Sequence, residues 1–446
     1  MESIRSGSIW VLVITFLIHT FFAFPYGERI LGFLTLIVVL LLLSKLNGFS
    51  KAISSSMLLI GIIVMISSGN VENWEESVIV NLPLIVLLVI VPMLSFPIGI
   101  GKYDEHIGFF IKRYSSSPRK LFLSITGLFF LIGPIINMGT IRLMDDLLKK
   151  LKLPNEFLAK SYMRGFTVTI MWSPFFASLL LVLHLVNVPL YSYLPVALVV
   201  ALIHLLVSNL LFLRDSKHIE WTSEEKPSIN LRKIYELLII FFLFFLIVFL
   251  LDFIFELKMV INVTIGAFIL TLLWSLYLKS LKPFLTRLNT YRKNSVYQSA
   301  NEIVLFLTAG FFGSVISKTT LGEWINSAIV LLGNISILLL IFSIIIFTSL
   351  LAMVGIHQIV TISAIATSVV VFDVGIHPVA FALTLMCAWT TATIISPISA
   401  VNVILSNLLD KVYRDVAIRW NGTFTWVIIM VYTLSIYITN FVLNWL

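Results

Sequence analysis

Apolar segments of near-spanning length recur along the whole chain, at about 8–24, 29–46, 53–69, 77–98, 119–150, 156–184, 190–213, 232–255, 258–278, 298–317, 326–372, 378–408 and 421–444. A helix needs about 20 mostly apolar residues to cross a bilayer, so the repetition predicts an all-α polytopic membrane protein. Composition agrees. The chain has 446 residues, 59% hydrophobic and 12% charged; a soluble protein carries roughly twice that charged share. A net charge of +8 would suit nucleic acid, but Lys and Arg crowd a few short loops, the pattern of a membrane protein with basic cytoplasmic loops. No nucleic-acid partner is expected. The single cysteine, Cys387, excludes an internal disulfide and any Cys-based zinc site. The stretch Ile9–Phe24 follows Arg5 like a signal peptide, but more spans follow and no small-residue cleavage site ends it, so it reads as the first helix.

The basic loops set the sidedness. "GKYDEHIGFFIKRYSSSPRK" (101–120), "KSLKPFLTRLNTYRK" (279–293) and "LDKVYRDVAIRW" (409–420) are basic, whereas "NVENWEES" (70–77) is acidic. If 119–150 crossed once, "KKLK" (149–152) and every later basic loop would lie outside. If it enters and returns, all basic loops fall in the cytoplasm. The segment reads as two arms around "GPIINMGT" (133–140), and 326–372 as two arms meeting at "MVGIHQ" (353–358). Non-helical backbone at membrane depth is tolerated only inside protein or beside a wet cavity. The expected tally is about 11 transmembrane helices plus two re-entrant hairpins, in a multi-pass protein of the cell membrane with its N-terminus inside and C-terminus outside.

The two halves align. Segments 77–98 and 298–317 are each followed by an amphipathic stretch, a hairpin, a broken helix and a last span. "TVTIMWSPFFAS" (167–178) matches "TTATIISPISAV" (390–401), with Ser173-Pro174 opposite Ser396-Pro397. An odd number of spans separates the copies, so the second is inverted. The expected organisation is an N-terminal helix (1–28), a first repeat (29–228; hairpin 119–150, broken helix 156–184) and a second, inverted repeat (229–446; hairpin 326–372, broken helix 378–408). Inverted repeats with paired discontinuous helices point to a secondary transporter with its site at the midplane. Proline removes a backbone donor and breaks the helix; the hydroxyls beside it replace lost hydrogen bonds and build a site.

Paired hairpins and Ser-Pro breaks of this kind resemble the ion transporter superfamily, which includes the divalent-anion/sodium symporters, arsenite permeases and citrate permeases. The resemblance is carried best by "NEIVLFLTAGFFGSVISKTTLGEWI" (301–325), "MVGIHQIVTISAIA" (353–366) and "CAWTTATIISPISAVNVIL" (387–405). It implies a scaffold domain that forms a homodimer, a mobile domain of hairpins and broken helices, and a Ser-Asn-Thr triplet at each tip to hold sodium and a substrate carboxylate. This chain departs there: the first tip has Asn137, Gly139 and Thr140, the second Gly355, His357 and Gln358.

The expected substrate site is therefore Asn137, Gly139, Thr140, Thr169, Ser173, Gly355, His357, Gln358, Thr393, Ser396 and Ser399, with a sodium site near Asn137, Thr140 and Ser173. His357 titrates near neutrality as a free side chain, so the coupling ion is sodium or a proton. Arg164 lies about nine residues, roughly 13 Å at 1.5 Å per residue, before the first break and reads as an interface arginine. Arg142 reads as facing the cavity or pairing with Asp145 or Asp146; His184, His204, Asp252, Asp373 and His377 read as structural. Trp172 and Trp389 read as packing residues at the breaks, and the Phe-rich run 237–255 as a lipid or dimer face. No nucleotide-binding, zinc-ligand or nucleophile-elbow motif occurs. No cofactor and no enzyme activity are expected. The expected function is ion-coupled transport of a small anion, an organic carboxylate, by alternating access. A lipid-linked precursor carrier, a cation/proton antiporter and an intramembrane transferase stay open as alternatives.

Overall fold

The computed structural model describes residues 2–69, 71–114, 117–215, 232–255 and 257–445. Among them every regular element is helical. The chain opens with α1 (Glu2–Phe22), α2 (Gly27–Leu43) and α3 (Gly48–Ser67). A scaffold span follows in pieces, α4 (Trp74–Ile79), α5 (Leu82–Ile90) and α6 (Ser95–Ile100), with a 3-10 turn at Val91–Leu94 where Pro92 removes a donor. Amphipathic α7 (Tyr103–Arg113) leads to the first hairpin, α8 (Pro118–Ile136) and α9 (Gly139–Leu148). Then come the first broken helix, α10 (Asn155–Trp172) and α11 (Ala177–Val186), and the closing span α12 (Leu190–Asp215).

The second half begins after α13 (Arg232–Phe255), α14 (Met259–Tyr277) and α15 (Leu281–Asn294). It runs through α16 (Ala300–Ile316), amphipathic α17 (Thr320–Ile335), the hairpin α18 (Ile337–Met353) and α19 (Gln358–Ser368), and the short α20 (Val371–Val374). It ends with the second broken helix, α21 (Pro378–Ile395) and α22 (Ala400–Leu409), and α23 (Gly422–Trp445). The order scaffold span, amphipathic helix, hairpin, broken helix, closing span is thus met twice. The expected repeat boundary at 228/229 lies outside the described residues.

Eleven helices among the described residues are long and apolar enough to span a bilayer. They are not the eleven expected. α8, a hairpin arm, is among them, and α2, with 17 residues, falls just short. The second hairpin is also shorter than expected. Ser336, extended at φ −170° and ψ 128°, ends α17, and its hydroxyl caps α18, so 326–335 belongs to the preceding surface helix.

Burial separates centre from rim. The two broken helices are each 94% buried over their spanning stretch, against 33% or less for α1, α3, α12, α13 and α23. A helix enclosed all round needs no polar face, and polar side chains inside it must be satisfied by the bundle. α8 packs on α10 and α18 on α21, so each hairpin lies against the broken helix of its own repeat.

Candidate functional site

Both breaks adopt one local geometry. α10 stops at Ser173 (φ −82°, ψ 120°) and α21 at Ser396 (φ −76°, ψ 127°), each directly before a proline. Ser173 Oγ accepts from the Phe175 N–H at 3.3 Å, and Ser396 Oγ from the Ile398 N–H at 3.4 Å. Their carbonyls accept from Phe176 and Ser399 N–H groups. These hydroxyls close the turn that the proline opens, and both serines are fully buried.

The freed carbonyls are satisfied differently in the two halves. Tyr193, from α12, donates its hydroxyl to Met171 O at 2.8 Å. In the second break, Asn402 Nδ2 donates to Ile394 O at 2.8 Å, Ser396 O at 2.9 Å and Thr393 O at 3.3 Å, and Tyr413 donates to Ile395 O at 2.9 Å. Asn402 is the side chain that holds this break, a role its place in the opening of α22 did not announce.

The hairpin tips turn on unusual backbone. Asn137 sits at φ 55°, ψ −136°, a region natural to glycine, while Gly355 occupies φ 97° in the second tip. A non-glycine residue there stores roughly 1–3 kcal/mol, and such residues concentrate at ligand clamps. Asn137 Oδ1 accepts from the Met138 N–H at 2.7 Å, which holds the turn. His357 caps α19: its Nδ1 accepts from the Ile359 N–H at 3.2 Å. A neutral ring using Nδ1 as acceptor carries its proton on Nε2 and can donate from there.

Tips and breaks meet at one cavity of about 400 Å³. Of the expected site residues, Asn137, Gly139, His357, Gln358, Thr393 and Ser399 line it. The other five do not. Thr169 donates to Phe129 O at 2.9 Å, across the close approach that Gly133 allows, where a Cβ would fall 2.9 Å from Thr169 Oγ1. Ser173 and Ser396 are committed to their own turns, Gly355 is buried within the second tip, and Thr140 is fully buried with no partner for its hydroxyl. For the expected sodium site, Thr140 Oγ1 is therefore the only one of the three side-chain oxygens not already hydrogen-bonded.

Backbone adds to the polarity of these side chains. The first turns of α9, α11, α19 and α22 all line it, through Gly139, Ala177, Gln358 and Ala400. Four half-helix N-termini thus converge on one space, each equivalent to roughly +0.5 charge. Gln358 Nε2 donates to Thr393 Oγ1 at 3.3 Å, while its buried Oε1 has no partner. The stretches α5–α6 and α16 add Val91, Pro92, Phe306 and also Ser299 and Glu302 to the lining. Sequence reasoning missed Glu302 and Ser299. The only signal was a lone acid opening the apolar run "NEIVLFL".

Other expectations resolve by burial. Arg164 is 2% exposed, not at an interface. It reaches Asn421 Oδ1 and Ser208 O, both at 3.3 Å, and its guanidinium lies 4.8 Å from the Phe424 ring centre, tying α10 to α12 and α23. Depth along the helix was right to consider, but α10 has no lipid face for a side chain to climb. Arg142 is exposed, lies away from the cavity, and forms no ion pair with Asp145 or Asp146 among the described residues. His204 is buried in α12 between Tyr432 and the Arg164 carbonyl. Trp389 lines the cavity, whereas Trp172 packs on Phe130 and Phe241.

No family model matches the chain, and no curated protein does. Solved structures do share its architecture. The YdaH transporter of Alcanivorax borkumensis aligns with a TM-score of 0.52 at 14% identity, over 80% of this chain and 85% of that one. MtrF of Neisseria gonorrhoeae, described as illuminating a class of antimetabolite efflux pumps, aligns with a TM-score of 0.53 at 14% identity, over 85% of each chain. At that identity the likeness is one of fold: this chain folds as those two transporters do.

Proposed function

We propose that this protein is an ion-coupled secondary active transporter of a small organic anion, working by alternating access and related to the ion transporter superfamily. The observation that carries the reading is the cavity on which both hairpin tips and both helix breaks open. Its mobile wall is two inverted copies of one device, and its other wall is the scaffold of α5, α6 and α16. Rocking one wall against the other moves the cavity between the two membrane faces without dismantling it. The four helix N-termini favour a negative group, held by backbone N–H donors and, from His357, a ring N–H.

Coupling is to sodium or a proton, with Thr140 and Gln358 offering free buried oxygens. A transferase would need several acids or histidines together; no group of three His, Cys, Asp or Glu forms a cluster among the described residues. The protein sits in the cytoplasmic membrane with its N-terminus inside and C-terminus outside, and the exposed Phe242, Phe253 and Phe255 of α13 supply a lipid or homodimer face.

The test is thermal stabilisation of the purified protein by a panel of small anions, with and without sodium, followed by uptake into proteoliposomes. A ligand that binds only the folded state raises apparent stability by mass action. The reading expects an anion whose uptake needs a sodium or proton gradient. Uptake that is indifferent to both gradients, or no anion binding at all, overturns it.

A further inference from the structure

The first turns of four helices line the cavity, and no Lys or Arg does so among the described residues. Among the lining residues stands Glu302, the cavity's single carboxylate among the described residues, in the first turn of α16 and exposed. Glu302 forms no ion pair among the described residues. Lys45 is engaged with Tyr297: its Nζ donates to Tyr297 O at 3.1 Å and lies 4.0 Å from the Tyr297 ring centre.

A second acceptor faces the same space. Gln358 is 4% exposed, and its Oε1 has no donor although its amide nitrogen is engaged. A purely anionic ligand would satisfy the helix N-termini and leave both acceptors empty, with Glu302 repelling it. A ligand carrying an ammonium group brings three N–H donors and a charge that the carboxylate attracts. The lining also has an apolar part, with Val91, Pro92, Phe306 and Trp389.

We propose that the transported molecule is a zwitterion, a carboxylate and an ammonium on an apolar body, and that Glu302 selects for the ammonium. The inference rests on the transport reading above and narrows its substrate from anions in general to amphoteric ones. The carboxylate lies against the helix N-termini of the mobile wall and the ammonium against Glu302 on the scaffold. The ligand thus bridges the two walls that move.

The experiment uses full-length protein and three matched probes: L-phenylalanine, 3-phenylpropionate, which lacks the amine, and phenethylamine, which lacks the carboxylate. Binding is read by thermal stabilisation and calorimetry on wild type, Glu302→Gln and Glu302→Asp. Wild type should bind the amino acid more tightly than either fragment. Glu302→Gln should weaken amino-acid binding about 10- to 150-fold, the value of one hydrogen bond to a charged group, and leave 3-phenylpropionate unchanged or improved. Glu302→Asp should retain the preference. The wild-type ratio stands even if a variant fails to fold. Equal binding of amino acid and desamino acid by wild type overturns the proposal and leaves anion transport intact. Loss of sodium stabilisation in Glu302→Gln, with no amino-acid preference in wild type, overturns it in favour of an ion site. Absence of binding by every probe and every small anion defeats the transport reading and this proposal with it.

Discussion

Asn402 offers a sharp test of how the second helix break is held. It is fully buried, and its one amide group serves Ile394 O at 2.8 Å and Ser396 O at 2.9 Å, with Thr393 O further off at 3.3 Å. Asn402→Leu keeps the volume and removes both N–H donors. Ser396 O keeps the Ser399 N–H, but Ile394 O and Thr393 O lose their donor, and leaving two buried carbonyls without partners costs about 2–6 kcal/mol at roughly 1–3 each. The change also removes Asn402 Oδ1, itself buried without a partner, which offsets roughly 1–3 kcal/mol. The net loss is about 1–3 kcal/mol. Asn402→Asp removes the donors and sets a carboxylate against carbonyl oxygens, so it should be the worse of the two by several kcal/mol. Melting of the ligand-free protein, followed by tryptophan fluorescence, reads the order: wild type, then Leu, then Asp. Tyr193→Phe, which removes the single donor to Met171 O, should fall with or slightly above Leu. An Asn402→Asp protein that melts with wild type would refute the argument, because no buried carbonyl can then depend on that amide.

Further outcomes separate binding from folding and fix the sidedness. Gln358→Leu, at the cavity wall, should weaken ligand binding about 5- to 150-fold, whereas Ser396→Ala, buried in its own turn, should lower the melting temperature more than the affinity; the reverse pattern would move the site to the breaks. Asn137→Gly relieves a glycine-only backbone but gives up the Oδ1 bond to the Met138 N–H, so it should melt near wild type while losing ligand stabilisation; a much lower melting point would mean that the side-chain bond outweighs the backbone relief. The native Cys387 is buried, so single cysteines at the exposed Asn73 and Asn289 can be labelled over a quiet background. Asn289 should react only from the cytoplasm and Asn73 only from outside, and labelling of Asn289 from outside would remove the re-entrant hairpins.

Periodic apolar runs and the Ser-Pro pair made the architecture legible, because helix length in a bilayer and the loss of a proline N–H are local facts. The partition of hydroxyls was not. Thr169, Ser173 and Ser396 look like site residues in one dimension, yet each is consumed by a nearby carbonyl or turn, whereas Gln358 and Thr393 keep a place on the cavity wall. That choice depends on which side of an enclosed helix faces the void, and a helix such as α21, polar and apolar all round, carries no periodic signal of it. Glu302 was hidden for a related reason: it comes from the scaffold, and only the packing of α16 against the hairpins brings it to the cavity. Arg164 was misplaced because sequence gives depth along a helix but not enclosure.

The unequal fastening of the two breaks has a consequence for the resting conformation. On the proposed alternating access, identical halves would make the inward- and outward-open forms equal in energy, because turning the molecule over would interconvert them. Here 223 positions separate Ser173 from Ser396, and the same step back from Asn402 reaches Leu179. One break is clamped by an amide within its own helix pair, the other by a tyrosine borrowed from the next span. Each such mismatch lifts the degeneracy. On that reading the duplicated architecture supplies two basins related by a two-fold rotation, and the departures from repetition decide which is deeper when no ligand is bound.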